Sequence, residues 1–325
     1  MKVVVTGSSG HLGEALVRVL RADGCDVAGL DIAPSPWTTV VGSVADRDLV
    51  RQCLAGADTV LHAATLHKPH VGTHARQAFV ETNVTGTLVL LEEAVAASVG
   101  RFVFTSTTSV FGRALMPPPG APAAWITEDV HPVPRNIYGV TKTAAEDLCE
   151  LVHRDHGLPV LVLRVARFFP EADDRDDVRA AYEDANLKVN ELLYRRVDLA
   201  DVVEAHRLAL ERAPALGFGR YVVTATTPFS PEVLGELRAD APAVVRRQFP
   251  DVDEVYSRRG WTLLPSIERV YVNARARRDL NWAPRYDFAH ALDCLRRGDD
   301  PRSELARVVG AKGYHLESTG VYTTR

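Results

Sequence analysis

Cysteine is scarce: the chain has four in 325 residues, and Cys25, Cys53, Cys149 and Cys294 lie too far apart for metal-ligand spacing or a close pair. That spacing speaks against a disulfide framework and a zinc site, and fits buried thiols in a reducing compartment. Long apolar runs are missing as well, none approaching the roughly 20 residues a membrane span requires. Lys2 leads straight into an apolar stretch, which leaves no room for a secretory leader, so a cytoplasmic protein without a membrane partner is expected. There is no basic excess. With 38 Lys and Arg against 42 Asp and Glu, the net charge of -4 gives no electrostatic reason to expect a nucleic-acid partner. The arginine pairs at 195/196, 246/247, 258/259 and 296/297 have acids nearby and read as solvated helix faces. No internal repeat is visible. What is present is ordinary globular composition, 46% hydrophobic and 25% charged, with length enough for a nucleotide-binding domain and a smaller one.

The most informative stretch is Val3-Val4-Val5-Thr6-Gly7-Ser8-Ser9-Gly10-His11-Leu12-Gly13. Three glycines there answer three needs: a tight turn, a backbone bare enough for a pyrophosphate to approach, and close packing of helix on strand. The unpaired N–H groups and the positive end of the helix dipole would then hold the phosphates. A strand-to-helix turn without a ligand is the plain alternative, and context decides against it. An amphipathic helix runs from Glu14 to Ala22, Gly24 ends it, and Asp26 to Asp31 reads as a second strand ending in an acid. Asp31 can accept from the adenosine ribose 2′-OH and would repel a 2′-phosphate; no Arg follows in Ile32-Ala33-Pro34, so the cofactor expected is NAD.

The pattern then repeats. Asp46 can cap a helix through Leu54, Gly56 closes it, and Asp58 to Ala64 is a short apolar strand. A long helical stretch from about His74 to Ala97 contains Asn83, the strand Arg101 to Ser106 follows, and Leu158 to Arg164 is a further buried strand. This alternation predicts an α/β fold, a Rossmann-type doubly wound parallel sheet whose ligands bind outside the carboxyl ends of the strands. The expected division is a NAD-binding domain over 1–165, with strand returns near 197 and 221, and a mainly substrate-binding region over 166–325. Residues 113–135 hold most of the proline clusters and read as a loop over the site. The acidic run from Glu171 to Asp177 reads as a solvated loop or helix start. His62, His67, His70 and His74 suggest a metal only weakly, because no carboxylate or cysteine joins them, and no metal is expected.

Tyr138 and Lys142 are four apart, so on a helix both leave the same face. An ammonium beside a phenol favours the phenolate and would pull the tyrosine from about 10 toward neutrality. Tyr138 can then take a proton from a substrate hydroxyl while its carbon gives up hydride.

In this order and spacing, Thr6 to Gly13, Asp31, His62-Ala63-Ala64, Asn83 to Thr87, Phe104 to Gly112, Tyr138 to Lys142 and Asp198 to Asp201 resemble the extended short-chain dehydrogenase/reductase family, the NAD-dependent epimerases and dehydratases. The resemblance implies that Tyr138 is the acid/base, Lys142 orients the nicotinamide ribose, Thr107 bonds the reacting oxygen, and Asn83 is a structural or relay residue. It places the cofactor against Gly7, Ser9, Gly10, His11, Leu12, Gly13, Asp31, Asp46, Ala63, Ala64, Asn83, Thr105 and Lys142. Thr107, Thr108 and Arg167 would face the substrate, and a homodimer is implied.

Three departures narrow the reaction. Relatives that eliminate water carry an acid pair after the catalytic Ser/Thr, where this chain has Thr108 and Ser109, and decarboxylating relatives have a glutamate at the Ser109 position. Nucleotide-sugar epimerases usually have an asparagine where this chain has Arg167, and the glycine-rich hairpin that grips the nucleotide is missing from the short stretch 170–196. The expected function is NAD-linked oxidation of a secondary hydroxyl on a sugar or nucleotide sugar, with epimerisation through a transient ketone. The alternatives are net dehydrogenation or reduction of a non-nucleotide sugar, sugar acid or other small hydroxy or keto substrate, and a non-catalytic NAD sensor.

Overall fold

The computed structural model describes residues 1–312. Its strands are β1 (Lys2–Thr6), β2 (Asp26–Asp31), β3 (Val40–Val41), β4 (Thr59–His62), β5 (Arg101–Thr107), β6 (Ala124–Ile126), β7 (Val160–Val165), β8 (Phe218–Val223) and β9 (Arg269–Tyr271). The helices are α1 (His11–Ala22), α2 (Arg47–Leu54), α3 (Arg76–Phe79), α4 (Gly86–Ala96), α5 (Ile137–His156), α6 (Asp176–Ala181), α7 (Asp184–Glu191), α8 (Leu199–Leu216), α9 (Leu234–Ala239), α10 (Ala241–Gln248), α11 (Val252–Ser257), α12 (Ala274–Leu280), α13 (Phe288–Arg297) and α14 (Glu304–Val309).

Seven strands form one parallel sheet in the order β3-β2-β1-β4-β5-β7-β8. Its strands are near-continuous apolar runs because both faces are covered. Alternation sorts them. Val3, Val5, Leu61, Val103 and Leu161 point to the face covered by α1, α8 and α12, while Val4, Val60, Phe102, Phe104 and Val160 point to the face covered by α2, α4 and α5. A third core, built on Leu193, Leu237, Val245, Tyr256 and Phe288, gives the region after β8, together with the end of α7 and the turn that follows it, an interior of its own. Among the described residues no helix is long and apolar enough to cross a membrane.

Four local readings need correction. The helical stretch across 76–96 is not uniform: Val80–Thr85 is a turn of π-helix, and Asn83 sits in it. The loop over 113–135 contains β6, which pairs in parallel with β9 as a separate two-stranded sheet, Ala124 opposite Arg269 and Ile126 opposite Tyr271. A proline-rich setting hid it, since three residues give no period. The strand return near 221 is β8, whereas near 197 there is only a single parallel bridge between Arg167 and Arg196. The acidic run is not simply a solvated loop, because Glu171 and Asp173 are buried on cations brought from other elements.

Caps fix the helices that matter most. Asp46 caps α2 by accepting from the Leu49 N–H at 3.1 Å, and Asn136 caps α5 by accepting from Gly139 N–H at 3.0 Å. Gly157, left-handed at φ 70°, closes α5.

Candidate active site at the carboxyl edge of the sheet

The turn between β1 and α1 needs its glycines. Gly7 has φ +73°, and a Cβ there would stand 2.7 Å from the Ala64 nitrogen; one on Gly13 would stand 1.9 Å from the Gly7 carbonyl oxygen. Gly10 precedes α1 without a side-chain cap. The first-turn N–H groups of a helix have no carbonyl partners within it, so an uncapped, side-chain-free start fits a pyrophosphate. Asp31, at the end of β2, accepts from Ser9 N–H and Ala33 N–H, each at 2.9 Å, and each oxygen keeps capacity for a ribose hydroxyl. These residues fit NAD.

Behind the turn lies a buried relay. Thr87 Oγ1 donates to the Asn83 carbonyl at 2.7 Å, so His62 Nε2, 3.0 Å away, donates to Thr87, and His62 Nδ1 accepts from Thr6 Oγ1 at 2.7 Å. Thr6 Oγ1 in turn accepts from Ala64 N–H at 3.1 Å. Only a neutral imidazole satisfies this chain, and burial, reinforced by Lys142, holds the His62 pKa well below its usual value. Asn83 donates to Thr141 Oγ1 at 3.0 Å and accepts from Leu66 N–H at 2.9 Å, fixing the β4 exit against α5. His62 therefore supports the cofactor crevice from below.

Tyr138 and Lys142 lie one turn apart on α5, both buried, with Thr107 at the end of β5. Lys142 Nζ donates to the Thr105 carbonyl at 2.7 Å and lies 3.9 Å over the Phe104 ring. Thr105 Oγ1 donates to His206 Nε2 at 2.9 Å, whose Nδ1–H is held by the Val202 carbonyl at 2.8 Å. Thr107 Oγ1 accepts from Ser109 N–H at 3.1 Å and stands near enough to the Tyr138 phenol to favour its ionised form. The tyrosine pKa does not move the way its spacing from Lys142 suggests. Burial pushes the phenol up to about 12 against the pull of Thr107, and burial brings Lys142 down to about 7 against Cys149 and Glu146. Desolvation outweighs the pairwise attraction for both groups.

Two buried ion clusters escaped the sequence reading. Glu146, one turn beyond Lys142, accepts from Ser106 Oγ at 2.5 Å, from Arg164 at 2.8 Å and from Arg220 at 3.2 Å, tying α5 to β5, β7 and β8. Its spacing from Lys142 was visible, but its partners were not. The second cluster holds Arg167. Its guanidinium lies 2.5 Å from Asp173 and 3.5 Å from Glu191, and Arg195 and Arg196 converge on the same Glu191. The 195/196 pair is thus an interior pair, unlike the surface pairs at 246/247 and 296/297, whose carboxylate partners are exposed. Burial acts to raise the Glu191 carboxyl, but the three arginines outweigh it and hold it well below its usual range.

The neighbouring acids reach other elements. Glu171 meets His11 at 2.9 Å, and Asp174 meets Lys68 at 2.5 Å. The Phe169 ring meets those of His11 and His67 at a tilt, with centroids 5.8 and 5.4 Å away, so the segment after β7 spans from Thr107 to the glycine turn.

The family model of NAD dependent epimerases and dehydratases matches residues 3–223, a span that contains all of the seven-stranded sheet but its first residue and every residue of the crevice just described. The chain belongs to the NAD dependent epimerase/dehydratase family. NAD is accordingly its cofactor. Among curated members, a dTDP-glucose 4,6-dehydratase of Streptomyces niveus is 37% identical over 50% of this chain and 53% of its own length. A second dTDP-glucose 4,6-dehydratase, of Streptomyces antibioticus, is 28% identical over 90% of each chain, and a UDP-glucose 4-epimerase of Streptomyces lividans is 27% identical over 66% of this chain and 72% of its own. The chain spans about half the length of several curated relatives it matches, 39%, 53% and 57% for three of them. In fold it is similar to an Agrobacterium tumefaciens short-chain dehydrogenase/reductase superfamily protein with bound NAD, at a TM-score of 0.66 and 24% identity over 95% of this chain and 99% of that one. It also resembles MoeE5 in complex with UDP-glucose and NAD, at a TM-score of 0.61 and 23% identity over 92% and 99%.

Proposed function

We propose that this protein is an NAD-linked epimerase that oxidises a secondary hydroxyl of a sugar or nucleotide sugar to a transient ketone and restores it with inverted configuration. The observation that carries this reading is the set of groups at the end of β5. Tyr138, Lys142 and Thr107 converge there, while Thr108 and Ser109 carry hydroxyls where an elimination needs carboxylates. Glu146, the buried carboxylate on the same helix, is fully engaged by Ser106, Arg164 and Arg220 and faces away from that task. These hydroxyls support epimerisation over the elimination that the dehydratase relatives carry in their names.

In this reading Thr107 holds the reacting oxygen and Tyr138 Oη takes its proton. NAD, when bound, supplies the hydride acceptor and a positive charge near the phenol. That charge, with protonated Lys142, opposes the burial that otherwise keeps Tyr138 a phenol. On return the phenol gives the proton back to the oxygen. Inversion requires the ketone to turn within the pocket while the cofactor stays in place. The ionic contacts of Glu171 and Asp174 with the elements around the glycine turn suit cofactor retention.

A net dehydrogenase would share Tyr138 and Lys142, so the product decides. Incubation of NAD-loaded enzyme with candidate sugars should give the epimer without accumulating NADH at 340 nm; stoichiometric NADH release would replace the epimerase by a dehydrogenase.

A further inference from the structure

We propose that Arg167 and Arg195 form the seat for a compact anionic group of the substrate, a carboxylate or a phosphate, which the Asp173 carboxylate holds as an internal stand-in. The proposal rests on the reading that the substrate lies at the carboxyl edge of the sheet, and adds its charge. Position comes from register. Val165 pairs with Thr107 at the end of β7, Arg167 follows it, and the Arg167–Arg196 bridge brings Arg195 alongside.

The charges in this cluster do not balance. Three guanidiniums contact two carboxylates, Glu191 and Asp173, while the nearby Asp174 and Lys188 are each paired elsewhere, with Lys68 and Asp184; the two contacting acids differ in kind. Glu191 is completely buried on α7 and accepts from Arg195 Nη2 at 2.5 Å and Arg196 Nε at 2.7 Å, which makes it the fixed counter-ion. Arg196 is then committed, because its Nη1 donates to the Phe169 carbonyl at 3.0 Å.

Asp173 lies instead in the irregular segment between β7 and α6. One oxygen, Oδ2, serves both Arg167 Nη1 at 2.5 Å and Arg195 Nη2 at 3.5 Å, while Oδ1 accepts from Arg175 N–H at 3.0 Å. Arg195 Nε is buried and has no partner among the described residues. A single carboxylate oxygen on two guanidiniums is a poor match for two planar forks, each built for paired acceptors. A carboxylate or phosphate entering from the substrate side offers those acceptors, and the side chains of Arg167 and Arg195 remain 19% and 22% exposed to receive it. Glu171 on His11 and Asp174 on Lys68 keep the segment anchored when Asp173 gives way.

The test reads binding on NAD-loaded protein by calorimetry with three probes: inorganic phosphate, a hexuronate and UDP. Asp173→Asn should tighten at least one of them by about tenfold or more, and adding Arg195→Gln should abolish the gain. Tightening of the hexuronate assigns a sugar acid to the seat, and tightening of UDP assigns a nucleotide diphosphate; either supports the seat. No gain for any probe overturns it. Should Asp173→Asn fail to fold, Arg195→Gln alone must weaken anion binding about tenfold with NAD affinity retained, and unchanged anion binding there overturns the proposal equally. Because nothing in this test depends on turnover, failure of the epimerase reading would be recorded separately.

Discussion

Tyr138→Phe removes one transferable proton and little else, so turnover should fall by about 10²–10⁴-fold while calorimetry shows NAD binding retained. A near-normal rate would assign the proton to another group. Lys142→Met should weaken both, because Nζ holds the Thr105 carbonyl as well as a charge in the crevice. Asp31 permits a test of cofactor choice. The wild type should bind NAD more tightly than NADP, and Asp31→Ser should narrow the gap by removing a carboxylate that repels a 2′-phosphate. Tighter NADP binding by the wild type would contradict the reading of β2. These residues were legible because their roles depend on spacing along the chain. Gly7, Gly10, Gly13, Tyr138 and Lys142 act through backbone freedom or helical period, which a sequence displays directly. Asp173, Glu171 and Arg195 were misread because their burial depends on cations and anions from elsewhere in the fold, and acidity alone reads as solvation.

The junction of β1 with α1 tolerates no side chain at Gly7 or Gly13. Gly13→Ala would push a methyl into the Gly7 carbonyl, so it should lower Tm and abolish measurable NAD binding, whereas Gly24→Ala, at a site with open space, should leave NAD affinity intact despite its left-handed φ. The contact between β5 and α8 is pH-sensitive through His206, whose pKa burial lowers to about 4. Between pH 4 and 6.5 the unfolded chain binds a proton that the folded imidazole refuses, so this contribution is fully present above pH 6.5 and is lost as pH falls toward 4. Its size is on the order of 3 kcal/mol. Asp201, raised by burial to about 6, has the opposite sign over an overlapping window, because its folded carboxyl keeps a proton that the unfolded one releases. Denaturant melts of His206→Gln and wild type should therefore diverge in slope between pH 4 and 6.5, with the variant less acid-sensitive. Element type was legible wherever period or caps were strong, as in α1, α5 and β7. The β6–β9 pairing was not, since its three-residue strands meet across nearly half of the chain.

For the assembled molecule, a homodimer is the expected state. Val140 and Leu151 on α5 are 51% and 39% exposed. They are separated by about three helical turns and so lie on one face. Light scattering at micromolar concentration should give twice the chain mass, and Val140→Lys with Leu151→Glu should halve it; a monomeric wild type would count against the pairing. The sheet order has a further consequence during synthesis. β8 is the last strand to join, and until it arrives β7, a run of buried residues, presents its full hydrogen-bonding edge. At roughly 5–20 residues per second, the ribosome needs several seconds to add residues 166–223. A nascent chain in that interval carries an open, apolar template for pairing with its neighbours on a polysome. Slowing translation across this interval should raise the insoluble fraction, and a chaperone that shields strand edges should restore the yield.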